Sequence, residues 1–235
     1  SSRLLYSFPN IEFTEVPIYY GETLQLGVSG KQNWGAHLTG EGGVAYVGDN
    51  KAADVVTIKQ LFESDQSDEH SLDLDRLHLA NDYKGATSVT GVKLNLERQT
   101  SLGNSGSLIA DDANIVEINE GALGTLDTIR FKNTDLKTAD TSLTVADATF
   151  EGANVLNVVD SFKVGRKATI TSGSLSTGAA AFEAGTLEIA DAALTASAVK
   201  VNGNATVSGT NTVTANAFTT NGLTLNANAT LDALG

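Results

Sequence analysis

Ser105 carries a hydroxyl of the kind that attacks carbonyls, and it stands between Gly103, Asn104 and Gly106 in the stretch LGNSGS, Leu102 to Ser107. A nucleophilic serine needs a histidine base within hydrogen-bond reach and an acid that orients the base. The chain offers His37, His70 and His78, and none stands in a setting that marks it as that base. Gly-Asn-Ser-Gly is also the composition of a tight corner, because Gly and Asn enter left-handed backbone cheaply. A corner is the expectation here, as it is for Asp111-Asp112. Calcium is a second chemistry. Asp65, Asp68 and Glu69 lie in the acidic stretch ESDQSDEH, with Asp73 and Asp75 just beyond. Calcium takes six or more oxygens. The spacing matches neither an EF-hand loop nor a glycine-rich calcium-binding nonapeptide, so a solvated loop is expected, with no metal and no cofactor.

Cleavage or binding of polysaccharide is a third chemistry. It needs carboxylates grouped on one face, with an Arg or Lys to stabilise developing charge. Asp127, Asp135 and Asp147 lie near Arg130, Lys132 and Lys137 in sequence, and Lys163, Arg166, Lys167 and Lys200 follow. No spacing stacks acid over base, and the expectation is a protein that is not an enzyme. Trp34 is the only tryptophan. Exposed, it would stack on a sugar; buried, it would pack under a loop or into a cap. Tyr19, Tyr20 and Tyr46 suit either role. Asn204-Ala-Thr206 and Asn228-Ala-Thr230 fit the glycosylation pattern but read as corners.

The elements that would position these groups are set by one repeated phrase. Val199 to Val207 reads VKVNGNATV, and Leu223 to Leu231, starting 24 residues later, reads LTLNANATL. Side chains alternate across a strand with period 2, so Val199 and Val201 share one face. Asn202, Gly203 and Asn204 then turn the chain, and Ala205 and Val207 begin a second short strand. Two strands this short bury little alone; stacking many copies solves that. Looser phrases run back at steps of 12 to 14 residues: LEIADAAL from Leu187, LSTGAAAF from Leu175, FKVGRKATI from Phe162, LTVADATF from Leu143 and IRFKNTDL from Ile129. Before them come INEGALGTL from Ile118, LIADDANIV from Leu108 and LNLERQTSL from Leu94. Taking two phrases per coil predicts coils of 24 residues, and about six of them over 94–235. Asn and Thr between Asn202 and Asn228 would then stack in ladders along the coils.

Composition agrees. Aromatics are 6 % of the 235 residues, cysteine and methionine are absent, and Pro9 and Pro17 are the only prolines. A narrow coil interior favours small and β-branched side chains. The net charge of −13 disfavours nucleic acid as a partner. No run of 18 apolar residues exists, so no membrane helix is expected. The missing methionine suggests a piece of a longer chain.

Before residue 94 the pattern is less regular. Residues 1–30 read as strands carried by Leu4, Leu5, Phe8, Ile11, Phe13, Val16 and Ile18, then the alternating TLQLGV from Thr23. That opening is expected to cap the coils, to start them, or to end a preceding subdomain. Val55 to Phe62 reads as a strand, with a short helix as the alternative from Ile58. Ser71 to Asp82 alternates like a strand, and Tyr83 to Val92 reads as a loop. Leu38 to Gly48, LTGEGGVAYVG, places a turn at Gly40–Gly43 between two strands. This phrase resembles the Leu-Thr-Gly-x-Gly-Gly-Leu-x-x-x-Gly phrase of bacterial autotransporter passenger domains. The NGNATV and NANATL corners, the acidity, the lack of cysteine and the Ala/Thr/Asn/Gly bias are similar to that family too. The resemblance implies a right-handed parallel β-helix, exported through an outer membrane and displayed on the cell surface. It further implies adhesion, self-association or biofilm formation, with another copy of the chain or a surface glycan as partner.

The expectation is therefore an all-β chain. Residues 1–93 form a less regular N-terminal β part, and 94–235 form β-solenoid coils. A non-enzymatic surface adhesin is expected. A polysaccharide-binding or polysaccharide-degrading protein and a structural stalk are the rivals.

Overall fold

The structure is a computed structural model that describes residues 2–5, 11–59, 81–98 and 101–234. The acidic stretch with Asp65, Asp68, Glu69, Asp73 and Asp75 lies outside the described residues, as do His70, His78 and the alternating run from Ser71. All regular structure among the described residues is β-strand. The strands pair in parallel and stack as a β-solenoid, as the small-residue corners and short alternating runs imply. They divide between two units, Ser1–Gly106 with Val116–Thr125, and Ser107–Ile115 with Leu126–Gly235.

The first unit holds β1 (Ser2–Leu5), β2 (Ile11–Ile18), β3 (Thr23–Gly27), β4 (Lys31–Gly40), β5 (Gly43–Val47), β6 (Val55–Ile58), β7 (Thr87–Thr90) and β8 (Lys93–Leu96). β3, β5 and β7 form one parallel ladder, and β4, β6 and β8 another. The regular stacking thus reaches well back into the part read as less regular. Leu24 pairs with Val44, 20 residues on, whereas Val44 pairs with Thr87, 43 residues on. β7 falls inside Tyr83–Val92, which the glycines had marked as a loop; Thr87 and Val89 point inward from it. The turn at Gly40–Gly43 lies where the motif put it. Its glycines are sterically required: a Cβ on Gly40 would sit 2.3 Å from the Ile18 carbonyl oxygen, and one on Gly43 2.6 Å from that of Ala86.

The second unit holds β9 (Ser107–Asp111), the start of β10 (Asn114–Glu117), β11 (Thr128–Lys132), β12 (Asp135–Lys137) and β13 (Ser142–Asn157). β14 (Ser161–Ser176), β15 (Ala181–Thr195), β16 (Val199–Ser208), β17 (Thr210–Thr214), β18 (Phe218–Leu225) and β19 (Thr230–Leu234) follow. Each coil presents three faces. The first runs Leu143, Phe162, Phe182, Val199 and Phe218 in register. The second runs Ile129, Ala148, Ala168, Leu187, Ala205 and Leu223. The third aligns Leu175, Leu194 and Val213.

This register corrects the coil length. Val199 pairs with Phe218 and Ala205 with Leu223. The two clearest phrases therefore sit on different faces and are not successive copies. Each phrase straddles one corner and covers two faces of three, so three phrases, not two, fill two coils. The true period appears in the residues with left-handed backbone between the second and third faces: Asp112, Asn133, Gly152, Ser172, Asp191, Gly209 and Asn228, at steps of 21, 19, 20, 19, 18 and 19. A second correction concerns Asn202–Asn204. That corner bends through a register shift between Val201 and Asn204, and none of its residues has positive φ.

The interior alternation is as expected: Val199, Val201, Ala205 and Val207 are all buried. Ile118 is not; it is 46 % exposed although it opens a phrase. Leu223 and Leu225 continue the inward rows under Ala205 and Val207, yet are 48 % and 53 % exposed, because among the described residues no further coil covers them. Buried asparagines close the inner corners. Asn154 accepts the Thr134 N–H, Asn211 the Ala192 N–H and Asn81 the Leu38 N–H, each from a neighbouring coil. Backbone donors at a bend are thereby paired without a ladder partner.

Candidate functional site

Ser105 is 1 % exposed, and its Oγ accepts the Thr87 N–H at 3.1 Å. His37 lies between carboxylates, 4.0 Å from Glu15 and 3.6 Å from Asp82. The hydroxyl thus serves a corner, as the Gly-Asn-Ser-Gly composition indicates. Trp34 is 6 % exposed and Tyr46 fully buried, so both pack inside; Tyr19 and Tyr20, on the turn after β2, are 63 % and 89 % exposed. Among the described residues no group of three or more His, Asp and Glu converges to hold a metal ion.

Several outward charges of the second unit form ion pairs between coils. Glu183 lies between Lys163 and Lys200, at 3.9 and 3.8 Å, and accepts a 2.7 Å hydrogen bond from Asn202. That hydrogen bond, then the two ammoniums, hold its carboxyl below the usual range. Arg166 donates to Asp147 at 2.6 Å and reaches Asp127 at 3.5 Å; Lys167 meets Glu188 at 2.8 Å. Asp127 and Asp147 therefore share Arg166, an arrangement that sequence spacing alone did not reveal. These pairs sit in water, where each stabilises little.

The third face of the second unit differs. Its outward side chains form two rows in register. Ala153, Ser174, Ala193 and Thr212 make one, and Val155, Ser176, Thr195 and Thr214 the other. Over these four coils neither row contains a charge, although the chain has 43 charged side chains, 28 acidic and 15 basic; Asp135, in register with Val155, and Asp232, in register with Thr212, bound the uncharged stretch. The expected Asn/Thr ladder is partial: Thr206 stacks on Thr224, but Asn204 faces Gly222 and bonds Thr206 and Thr224 instead.

In the first unit, a concavity of about 400 Å³ opens on the face built by β4, β6 and β8. Lys31, Val55 and Lys93 form one row across it, and Asn33, Thr57 and Asn95 the next. Gln32 completes the lining. Asp54, beside Val55, faces the corner: its carboxylate accepts the N–H groups of Gly30, Asp49 and Asn50 at 2.9, 3.1 and 3.0 Å. Those hydrogen bonds, with Gly30 foremost, lower its pKa. A depressed carboxylate pKa contributes stability that is full above the unfolded value, about 3.9, and is lost as pH falls through the folded value. Asp54→Ala is therefore expected to lower the thermal midpoint at neutral pH. It should also remove part of the acid-side loss in a melting series between about pH 7 and pH 2. An unchanged midpoint at neutral pH would show the capping bonds to be idle.

No family model, curated protein or solved structure matches the chain.

Proposed function

We propose that this chain is a non-enzymatic binding piece of a bacterial surface adhesin, an autotransporter-type passenger that associates with its own copies through an extended uncharged face. The observation that supports this is the third face of the second unit, with its two charge-free rows from Ala153 to Thr212 and from Val155 to Thr214. Two copies at −13 each repel. The uncharged stretch between Asp135 and Asp232 lets them approach with few like charges opposed, and its small side chains let two flat sheets meet closely. Many weak hydrogen bonds between Ser and Thr hydroxyls would then act together.

The test is cell aggregation with the chain displayed on bacteria, paired with sedimentation of the soluble chain. Ser176→Arg with Thr195→Arg is expected to abolish aggregation and to lower the sedimenting mass. Thr169→Arg on the second face should change neither. Equal behaviour of both variants, or no association by the parent chain, refutes this reading.

A further inference from the structure

We infer that the concavity on β4, β6 and β8 is a binding site for a carboxylate-bearing sugar unit of a polysaccharide. Its volume of about 400 Å³ is that of a small-ligand site, roughly 300–1,000 Å³. Its charge is opposite to that of the chain. Lys31 and Lys93 line it, no acid does, and the net charge of the whole is −13. Neither lysine makes an ion pair among the described residues, whereas the neighbouring Lys59 meets Glu97 at 3.3 Å. Asp54, the acid nearest in sequence, holds three backbone N–H groups at its corner. The two ammoniums are thus left for something that is not this part of the chain.

The register fixes their geometry. Lys31 and Lys93 pair with Val55 from opposite sides, so their Cα atoms stand roughly 10 Å apart, two strand spacings. Four-carbon stems are long and flexible enough for both charges to reach over the Val55 side chain between them. Two residues along, Asn33, Thr57 and Asn95 offer neutral donors and acceptors, and Asn95 already donates to Thr57 at 3.3 Å. A carboxylate held by two lysines, an apolar floor and a row of amide and hydroxyl groups together describe a ring with one acid group and several hydroxyls. A bare anion would use the lysines and leave the second row idle. This site lies in the first unit and does not depend on the self-associating face of the second, so either reading stands or falls alone.

The test is isothermal titration calorimetry on the 235-residue chain. The probes are a galacturonic acid trimer, its uncharged galactose counterpart, monomeric galacturonic acid and inorganic phosphate. The acidic trimer is expected to bind at least tenfold more tightly than the neutral trimer and than phosphate, and to weaken as salt rises. Tighter binding of the trimer than of the monomer assigns the site to polymer, and equal binding to the free sugar; both keep the carboxylate assignment. Lys31→Gln with Lys93→Gln should lower affinity at least tenfold with an unchanged thermal midpoint, and Asn33→Ala about threefold. Lys137→Gln, in the second unit, should leave affinity alone. No binding of either acidic sugar, equal affinity for neutral and acidic trimers, phosphate as tight as the acidic sugars, or full affinity in the double variant overturns the inference.

Discussion

Replacing Arg98 with methionine is expected to destabilise the first unit by about 3–5 kcal/mol, because several buried carbonyls lose their donor at once. Arg98 is 5 % exposed. Its Nε donates to the Lys59 carbonyl at 3.0 Å, and its Nη atoms donate to the Gly35 and Ala36 carbonyls at 2.6 and 2.9 Å and to Asn81 Oδ1 at 3.4 Å. All four acceptors are neutral. The guanidinium therefore gathers carbonyls from two bends, and Asn81 in turn accepts the Leu38 N–H and donates to the Ser101 carbonyl at 2.7 Å. Burial lowers the arginine's pKa, but from so high a start that it stays charged. Methionine fills similar space and offers no donor, so buried carbonyls lose their partners at about 1–3 kcal/mol each. Lysine keeps the charge but lacks the planar fork, and Arg98→Lys should fall between methionine and the parent. The measurement is urea unfolding followed by Trp34 fluorescence, which reports on the first unit because Trp34 is the chain's sole tryptophan and precedes Gly35. A loss under about 1 kcal/mol for methionine would show that the carbonyls find other partners.

Nothing in the sequence marked Arg98. It lies in the loose phrase LNLERQTSL, and its acceptors at Gly35 and Ala36 are 63 and 62 residues away. Long-range partners of a single side chain leave no periodic trace. The solenoid itself was legible because its signal is local and repeated. Alternation at Val199–Val201 and Ala205–Val207 puts apolar side chains inward whichever coil they belong to. Coil length was not legible from the phrases, because apolar-x-apolar, corner, apolar-x-apolar recurs at every bend. A three-faced coil holds three such bends, and their composition does not distinguish them. The information lay instead in the left-handed corner residues, but three residue types besides glycine fill that position: Asp112 and Asp191, Asn133 and Asn228, and Ser172. Short polar side chains tolerate that backbone through local hydrogen bonds, so no single letter repeats.

The candidate sites divide in the same way. Ser105 as a corner residue was legible from its glycines, whereas the sequence leaves Trp34 between a sugar contact and a packed place, and the structure buries it. The concavity was not, since Lys31, Val55 and Lys93 come from three strands separated by 24 and 38 residues. Those unequal steps hide the alignment, and only the ladder pairing of β4, β6 and β8 brings the three into one row.

The second large effect is expected at Phe150. Phe131, Phe150, Phe162 and Phe182 form a chain of rings through the interior of the second unit, with centroids 6.1, 6.0 and 5.8 Å apart. The first two contacts are edge-on, at 78° and 82°, the arrangement in which ring quadrupoles attract. Phe131 and Phe150 are adjacent in the second face, and Phe162 and Phe182 in the first, so the step from Phe150 to Phe162 crosses between faces. Phe150, like Phe162, touches a ring on each face; both its contacts are edge-on, and it is wholly buried. Phe150→Ala therefore removes two ring contacts and leaves a void that small neighbours such as Ala148 and Ala168 are too short to fill. The expected cost is about 3–5 kcal/mol. Phe182→Ala, which loses only the tilted contact to Phe162 at 48°, should cost less. The coils contact their neighbours in series, so local loss at Phe150 spreads to adjacent coils and not evenly through the chain. Hydrogen exchange resolves this: in Phe150→Ala, amides of β11, β13 and β14 should lose protection first, with β17 and β19 changed least. Uniform loss along the second unit, or a cost equal to that of Phe182→Ala, would mean that Phe150 holds no special place in the stack.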